Sequence, residues 1–74
     1  MKFINVHGSW YVDTEQYANL GYDETLGGYY KINTARIDYI EKDECASEPT
    51  YWIIKLADGS CIVTKETDFL KELK

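Results

Sequence analysis

The chain is short of the residues that most enzyme chemistry needs. It has one histidine, His7, and two cysteines, Cys45 and Cys61, with no Cys-x-x-Cys spacing. That set does not build a zinc site. No Gly-x-Ser-x-Gly elbow and no Walker loop occurs, so neither an activated serine nor a phosphate cradle is expected. Eight basic residues stand against thirteen acidic ones, a formal net charge of -5. Such a balance argues against a nucleic-acid groove and against an anionic membrane surface. No stretch is long and apolar enough for a transmembrane helix or for the core of a signal peptide. A cytoplasmic protein is therefore the expectation, with both thiols reduced. One proline, Pro49, and five glycines leave few marked breaks, and there is no repeat and no low-complexity tract.

What is present is a single small domain, residues 1–74, rich in rings. Hydrophobic residues make up 45% of the sequence, with seven tyrosines and two tryptophans. So short a chain buries a small core, and stability is marginal unless a partner or a second copy adds to it. Charge is uneven: residues 13–48 hold nine acids and three bases.

Local patterns predict a mainly β protein. "KFINVHGSWYV" reads as a hairpin around a Gly8-Ser9 type II′ turn, which takes glycine first. Val6 would then face Tyr11, and Asn5 would face Val12. In "DTEQYANLGYDETLGG", Asp13 or Thr14 can cap a short helix over Glu15–Leu20 that Gly21 ends. Gly27-Gly28 marks a turn. "GYYKINTARIDYIEKDE" gives two short strands with a tight turn through the Asn33 side chain, and residues 41–49 form a polar connection. "TYWIIKLADGSCIVTK" predicts a second hairpin on an Asp58-Gly59 type I′ turn, pairing Leu56 with Cys61. Trp52, Ile54, Leu56, Cys61 and Val63 would share its core face. "ETDFLKELK" predicts a C-terminal helix capped by Thr67, with Phe69, Leu70 and Leu73 on the stripe that docks. The architecture expected is a small antiparallel sheet or half-open SH3-like barrel of about five strands with one short C-terminal helix.

"KINTARIDYIEK" followed by "YWIIKLADGSCIVTKETDFLKELK" resembles the small flagellar-operon proteins of the FlbD type and their phage and bacterial relatives. Ile32, Asn33, Ile37, Ile40, Glu41, Leu56, Asp58, Gly59, Val63, Glu66 and Thr67 carry the likeness, and "MKFINVHG" matches the first strand of that pattern. The resemblance implies the fold. It also makes residues 13–29 look like an aromatic and acidic loop inserted into a common scaffold.

The search for chemistry ends in binding. His7 beside a turn reads as structural. The carboxylate pairs Asp23-Glu24 and Asp43-Glu44, and the acids of "DYIEKDE", read as solvated edges without the spacing of a calcium loop. No catalytic residue, metal or cofactor is expected. Tyrosines beside acids suit protein contacts, because each ring offers a rigid apolar body with a polar tip. The candidate binding residues are Tyr17, Tyr22, Tyr29 and Tyr30 as contact aromatics, Asp23 and Glu24 as their charge complement, and Arg36. The leading expectation is a non-enzymatic acidic binding protein that acts on a protein partner, such as a phage-type inhibitor of a host defence protein. Two alternatives stay open: a binder or sponge for a small ligand such as a nucleotide, and a self-associating structural or regulatory subunit.

Overall fold

The computed structural model describes residues 2–23, 25, 27–43 and 50–73. Among these residues are five strands: β1 (Phe3–Tyr11), β2 (Gly27–Asn33), β3 (Ile37–Asp43), β4 (Tyr51–Leu56) and β5 (Cys61–Thr64). Helix α1 (Thr14–Leu20) lies between β1 and β2, a 3-10 turn (Thr34–Arg36) joins β2 to β3, and helix α2 (Asp68–Glu72) ends the chain. All neighbouring strands run antiparallel in one open sheet of order β2-β1-β5-β4-β3. Every pair of strands adjacent in sequence is hydrogen-bonded except β2 and β3, which form the two edges. No helix among the described residues is long and apolar enough to cross a membrane.

Both faces of the sheet are covered. Ile4, Val6, Ile32, Ile54, Ile62 and Phe69 form one buried cluster, with Tyr30, Ile37, Ile40, Trp52 and Leu56 packed against it. All five strands contribute to it, both edges included, so the sheet curls around this cluster and α2 closes it through Phe69. Trp52 meets the Phe69 ring edge-on at 6.4 Å. On the opposite face Tyr11, Ile53, Cys61 and Val63 form a second cluster beneath Tyr17, Tyr22 and Tyr51. Central β5 is consequently buried at all four residues.

Three turn expectations change. Gly8-Ser9 is no hairpin turn: β1 runs straight through it, pairing with β2 over Phe3–Ser9 and with β5 over Ser9–Tyr11. A glycine is needed at position 8 because β5 lies close, and a Cβ there would sit 2.5 Å from the Val63 carbonyl oxygen. Gly27 and Gly28 are strand residues opposite Ser9 and Gly8, not a turn. The β4–β5 connection has a three-residue loop. Gly59 N–H donates to the Leu56 carbonyl and Leu56 N–H to that of Ser60, and only Gly59 in the loop has positive φ, at 95°. This is the type I turn with a glycine bulge, a second common solution for an Asp-Gly hairpin.

The longer loop shifts the pairing to Lys55 with Cys61 and Ile54 with Ile62. A shift of one residue exchanges faces. Trp52, Ile54 and Leu56 therefore share a face with Ile62, while Cys61 and Val63 belong to the second cluster. Glu41–Asp43 extend β3, and the rest of the expected 41–49 connection, with Cys45 and Pro49, lies outside the described residues.

Helix α1 forms where the sequence signals it. Asp13 Oδ1 accepts from Gln16 N–H at 2.7 Å, and the Gln16 side chain returns a bond to Val12 N–H at 2.8 Å. Gly21 ends the helix at φ 72°. Asn33 caps the 3-10 turn through Ala35 N–H, as expected. Thr67 precedes α2 but makes no side-chain cap; the helix is held by Phe69, which is 2% exposed. Burying such a ring is worth about 1.5–3 kcal/mol, ample for a five-residue helix that could not persist alone.

Candidate functional site

The open seam beside β2 carries a groove of about 360 Å³. The β2 residues Tyr30, Lys31, Ile32 and Asn33 line one side, and Arg36, Leu56, Ala57 and Asp58 the other, with Phe3, Trp10 and Ile62 completing it. Two backbone bonds hold the frame. Thr34 N–H donates to the Lys2 carbonyl at 2.9 Å, and Ala57 N–H donates to that of Arg36 at 2.8 Å. The 3-10 turn is thus tied to β1 at one end and to the β4–β5 loop at the other.

Trp10 stands opposite Ile62 across β1 and β5, so both project to the curled side of the sheet. Ile62 is buried there, yet Trp10 is 46% exposed and Phe3 is 44% exposed. The Lys31 ammonium lies 5.2 Å from the Phe3 ring centroid, within cation–π range.

The charges of the groove are not equivalent. Asp58 Oδ1 accepts from both the hydroxyl and the N–H of Ser60. The Ser60 hydroxyl first, then its N–H and more weakly the Arg36 guanidinium, hold the Asp58 carboxyl below its ordinary value. Asp58 is thereby committed to its own turn. Lys31 and Arg36 are exposed and remain the cations of the rim.

The candidate residues read from the sequence do not gather in one patch. Tyr30 and Arg36 line the groove. Tyr29 is 85% exposed and lies against His7, ring centroids 4.5 Å apart, while His7 Nδ1 is 2.7 Å from Glu66 Oε2. Tyr17 and Tyr22 turn inward on the other face. Tyr17 donates its hydroxyl to Asp43 at 3.0 Å and meets Tyr11 edge-on at 5.3 Å. Tyr22 stacks on Tyr51 at 4.6 Å. Asp23 bonds Thr25 through its side chain and accepts from the Ser9 hydroxyl through its carbonyl. The Thr25 hydroxyl first, then its N–H, lower the Asp23 pKa. Glu24 lies outside the described residues.

So α1 and the segment after it cover the second cluster, and their tyrosines serve as its roof. Tyr11, fully buried, is tied to the same segment by a 2.8 Å bond from its hydroxyl to the Gly21 carbonyl. Phe3, Trp10 and Leu56 were missed as site residues. Their signal was faint, because an aromatic on a strand looks the same in sequence whether a neighbour covers it or not. Cys61 is a buried free thiol of the second cluster. Burial raises its pKa, against a smaller opposing effect of Lys55, which makes it a poor nucleophile. Comparison with protein-family models, with curated proteins and with solved structures finds no match.

Proposed function

We propose that this chain is a non-enzymatic binding protein that acts through protein contacts, and that the seam groove is where it does so. The observation that carries this reading is the half-exposed pair Phe3 and Trp10, at 44% and 46%, beside Tyr30 and the two rim cations. Aromatic and arginine side chains dominate the energetics of protein interfaces. A small chain that leaves a tryptophan outside its core loses burial it could have used, and a partner can recover it. Acting as an inhibitor, the protein would occlude whatever surface it occupies.

Affinity capture with the wild-type protein, Trp10→Ala and Arg36→Glu tests the reading. A partner retained by the wild type and lost by both variants, each still folded by circular dichroism, supports it. Equal retention by all three refutes this placement.

A second reading has an observation of its own. The groove volume of about 360 Å³ falls in the range of small-molecule pockets, and Lys31 and Arg36 could hold phosphate beside rings able to stack a base. Thermal shift against a nucleotide panel addresses it, since saturation at about a hundredfold excess over Kd adds about 2.7 kcal/mol of stability.

A further inference from the structure

We infer that the partner is an extended acidic segment that adds as a sixth strand to the free edge of β2. It sets a bulky apolar side chain into the groove and a carboxylate between Lys31 and Arg36. This rests on the protein-binding reading above and specifies its geometry and chemistry.

The two edges of the sheet differ in a way that selects β2. Edge β3 is blunted: its register shifts between Ile37 and Tyr39, and Asp38, Glu41 and Lys42 are charged and exposed along it. Bulges and charges are the usual means of keeping an edge from pairing with another chain. Edge β2 has no bulge and fewer charges. Its seven residues keep an unbroken register with β1 from Asn33 to Gly27, and Lys31 is its one charged residue. No described strand pairs with its outer side. Gly27 and Gly28 leave the far end of that edge without side chains that could crowd an incoming backbone.

The groove supplies specificity. A strand added to β2 presents alternate side chains to the same face as Tyr30 and Ile32, which is the face that lines the groove. Main-chain bonds to the edge would give affinity, and the pocket for alternate side chains would give selectivity. The rim sets the charge. Asp58 is engaged by Ser60, so a partner carboxylate meets Lys31 and Arg36 as the available complement. A second copy of this chain fits less well, because pairing through the same edge would bring a second Lys31 against the first.

The test is selection from a displayed library of random short peptides on the wild-type protein. Enriched peptides are synthesised and each backbone amide is N-methylated in turn. The expected result is a bulky apolar residue directly next to an Asp or Glu, because Lys31 alternates with Tyr30 and Ile32 along β2. Affinity should fall about tenfold with Lys31→Glu or Arg36→Glu, since a rim cation is replaced by a charge that repels the partner's carboxylate, and N-methylation should abolish binding at alternate positions only. Peptides that lose affinity with Arg36→Glu but tolerate N-methylation throughout overturn strand addition and leave the binding reading standing. Enriched peptides that are basic, or indifferent to both charge reversals, overturn the inference. Failure to enrich any peptide, with no partner captured in the preceding experiment, overturns both. A dimer in light scattering that Lys31→Glu dissociates assigns the edge to a second copy and overturns the inference as well.

Discussion

Gly8 gives the sharpest test of how this chain is threaded. If it were the first residue of a hairpin turn, asparagine would be a fair replacement, since it tolerates positive φ. In the structure Gly8 is a strand residue against which β5 packs. A Cβ would fall 2.5 Å from the Val63 carbonyl oxygen and 3.0 Å from Thr64 Cβ. The nearest atom is backbone in a central strand, so it cannot swing away. Gly8→Ala then forces β1 and β5 apart where the His7 carbonyl accepts from the Thr64 hydroxyl at 2.6 Å. Overpacking of this kind costs about 1–3 kcal/mol. A domain of this size has about 4–11 kcal/mol in all, and the expected fall in Tm is roughly 5–20 °C. Gly8→Asn should be at least as damaging. Gly28→Ala is the control: its Cβ would meet Tyr30 at an ordinary 3.6 Å, with an expected cost below about 1 kcal/mol. Thermal and urea unfolding read all three. Gly8→Asn matching the wild type, or Gly28→Ala proving the worst of the set, would refute the close-approach argument.

Further outcomes follow from the same packing. Phe69→Ala should cost about 3–5 kcal/mol and release α2, read as lost far-UV helicity together with lowered stability. Tyr11→Phe should cost about 1 kcal/mol, because the Gly21 carbonyl loses its hydroxyl donor; urea midpoints compare it with the wild type. Lowered carboxyl pKa values at Asp23 and Asp58 stabilise the fold at pH above the ordinary value of 3.8. That stabilisation disappears as pH falls through the lower folded values. Asp58→Ala should accordingly flatten the acid limb of the stability curve and leave its neutral plateau lower. Cys61, buried with a raised pKa, should resist iodoacetamide in the native protein and react on unfolding, as peptide mapping would show.

Much of the fold was legible because local chemistry and the tertiary result agree. Asp13, Gln16 and Gly21 mark both ends of α1, Asn33 marks the 3-10 turn, and the two apolar runs of residues 51–64 are the strands they promise to be. What misled was degeneracy. Asp-Gly serves two hairpin loops that differ by one residue, and that residue decides which face Cys61 takes. Glycine serves turns and close approaches alike, so Gly8 and Gly27-Gly28 pointed to bends that are absent. The site was less legible. Burial of both faces of a sheet hides which aromatics are surplus: Tyr17 and Tyr22, next to acids, read as contacts and lie half-buried over the second cluster, while Trp10, which no local pattern singled out, stands half in solvent.

The strand order has a kinetic consequence. β1 and β5, the first and last strands, pair in the middle of the sheet, and Thr64 reaches His7 across 57 residues of chain. The β1–β2 pair and the β3–β4–β5 meander can each form from strands adjacent in sequence, but neither is buried on its inner edge until β1 meets β5. The fold is therefore completed by its last strand, through the contacts of longest sequence separation. Loop closure of that length slows folding. Until it happens the inner edges of β1 and β5 stand open, and the chain is most exposed to pairing with the wrong neighbour immediately before it is finished.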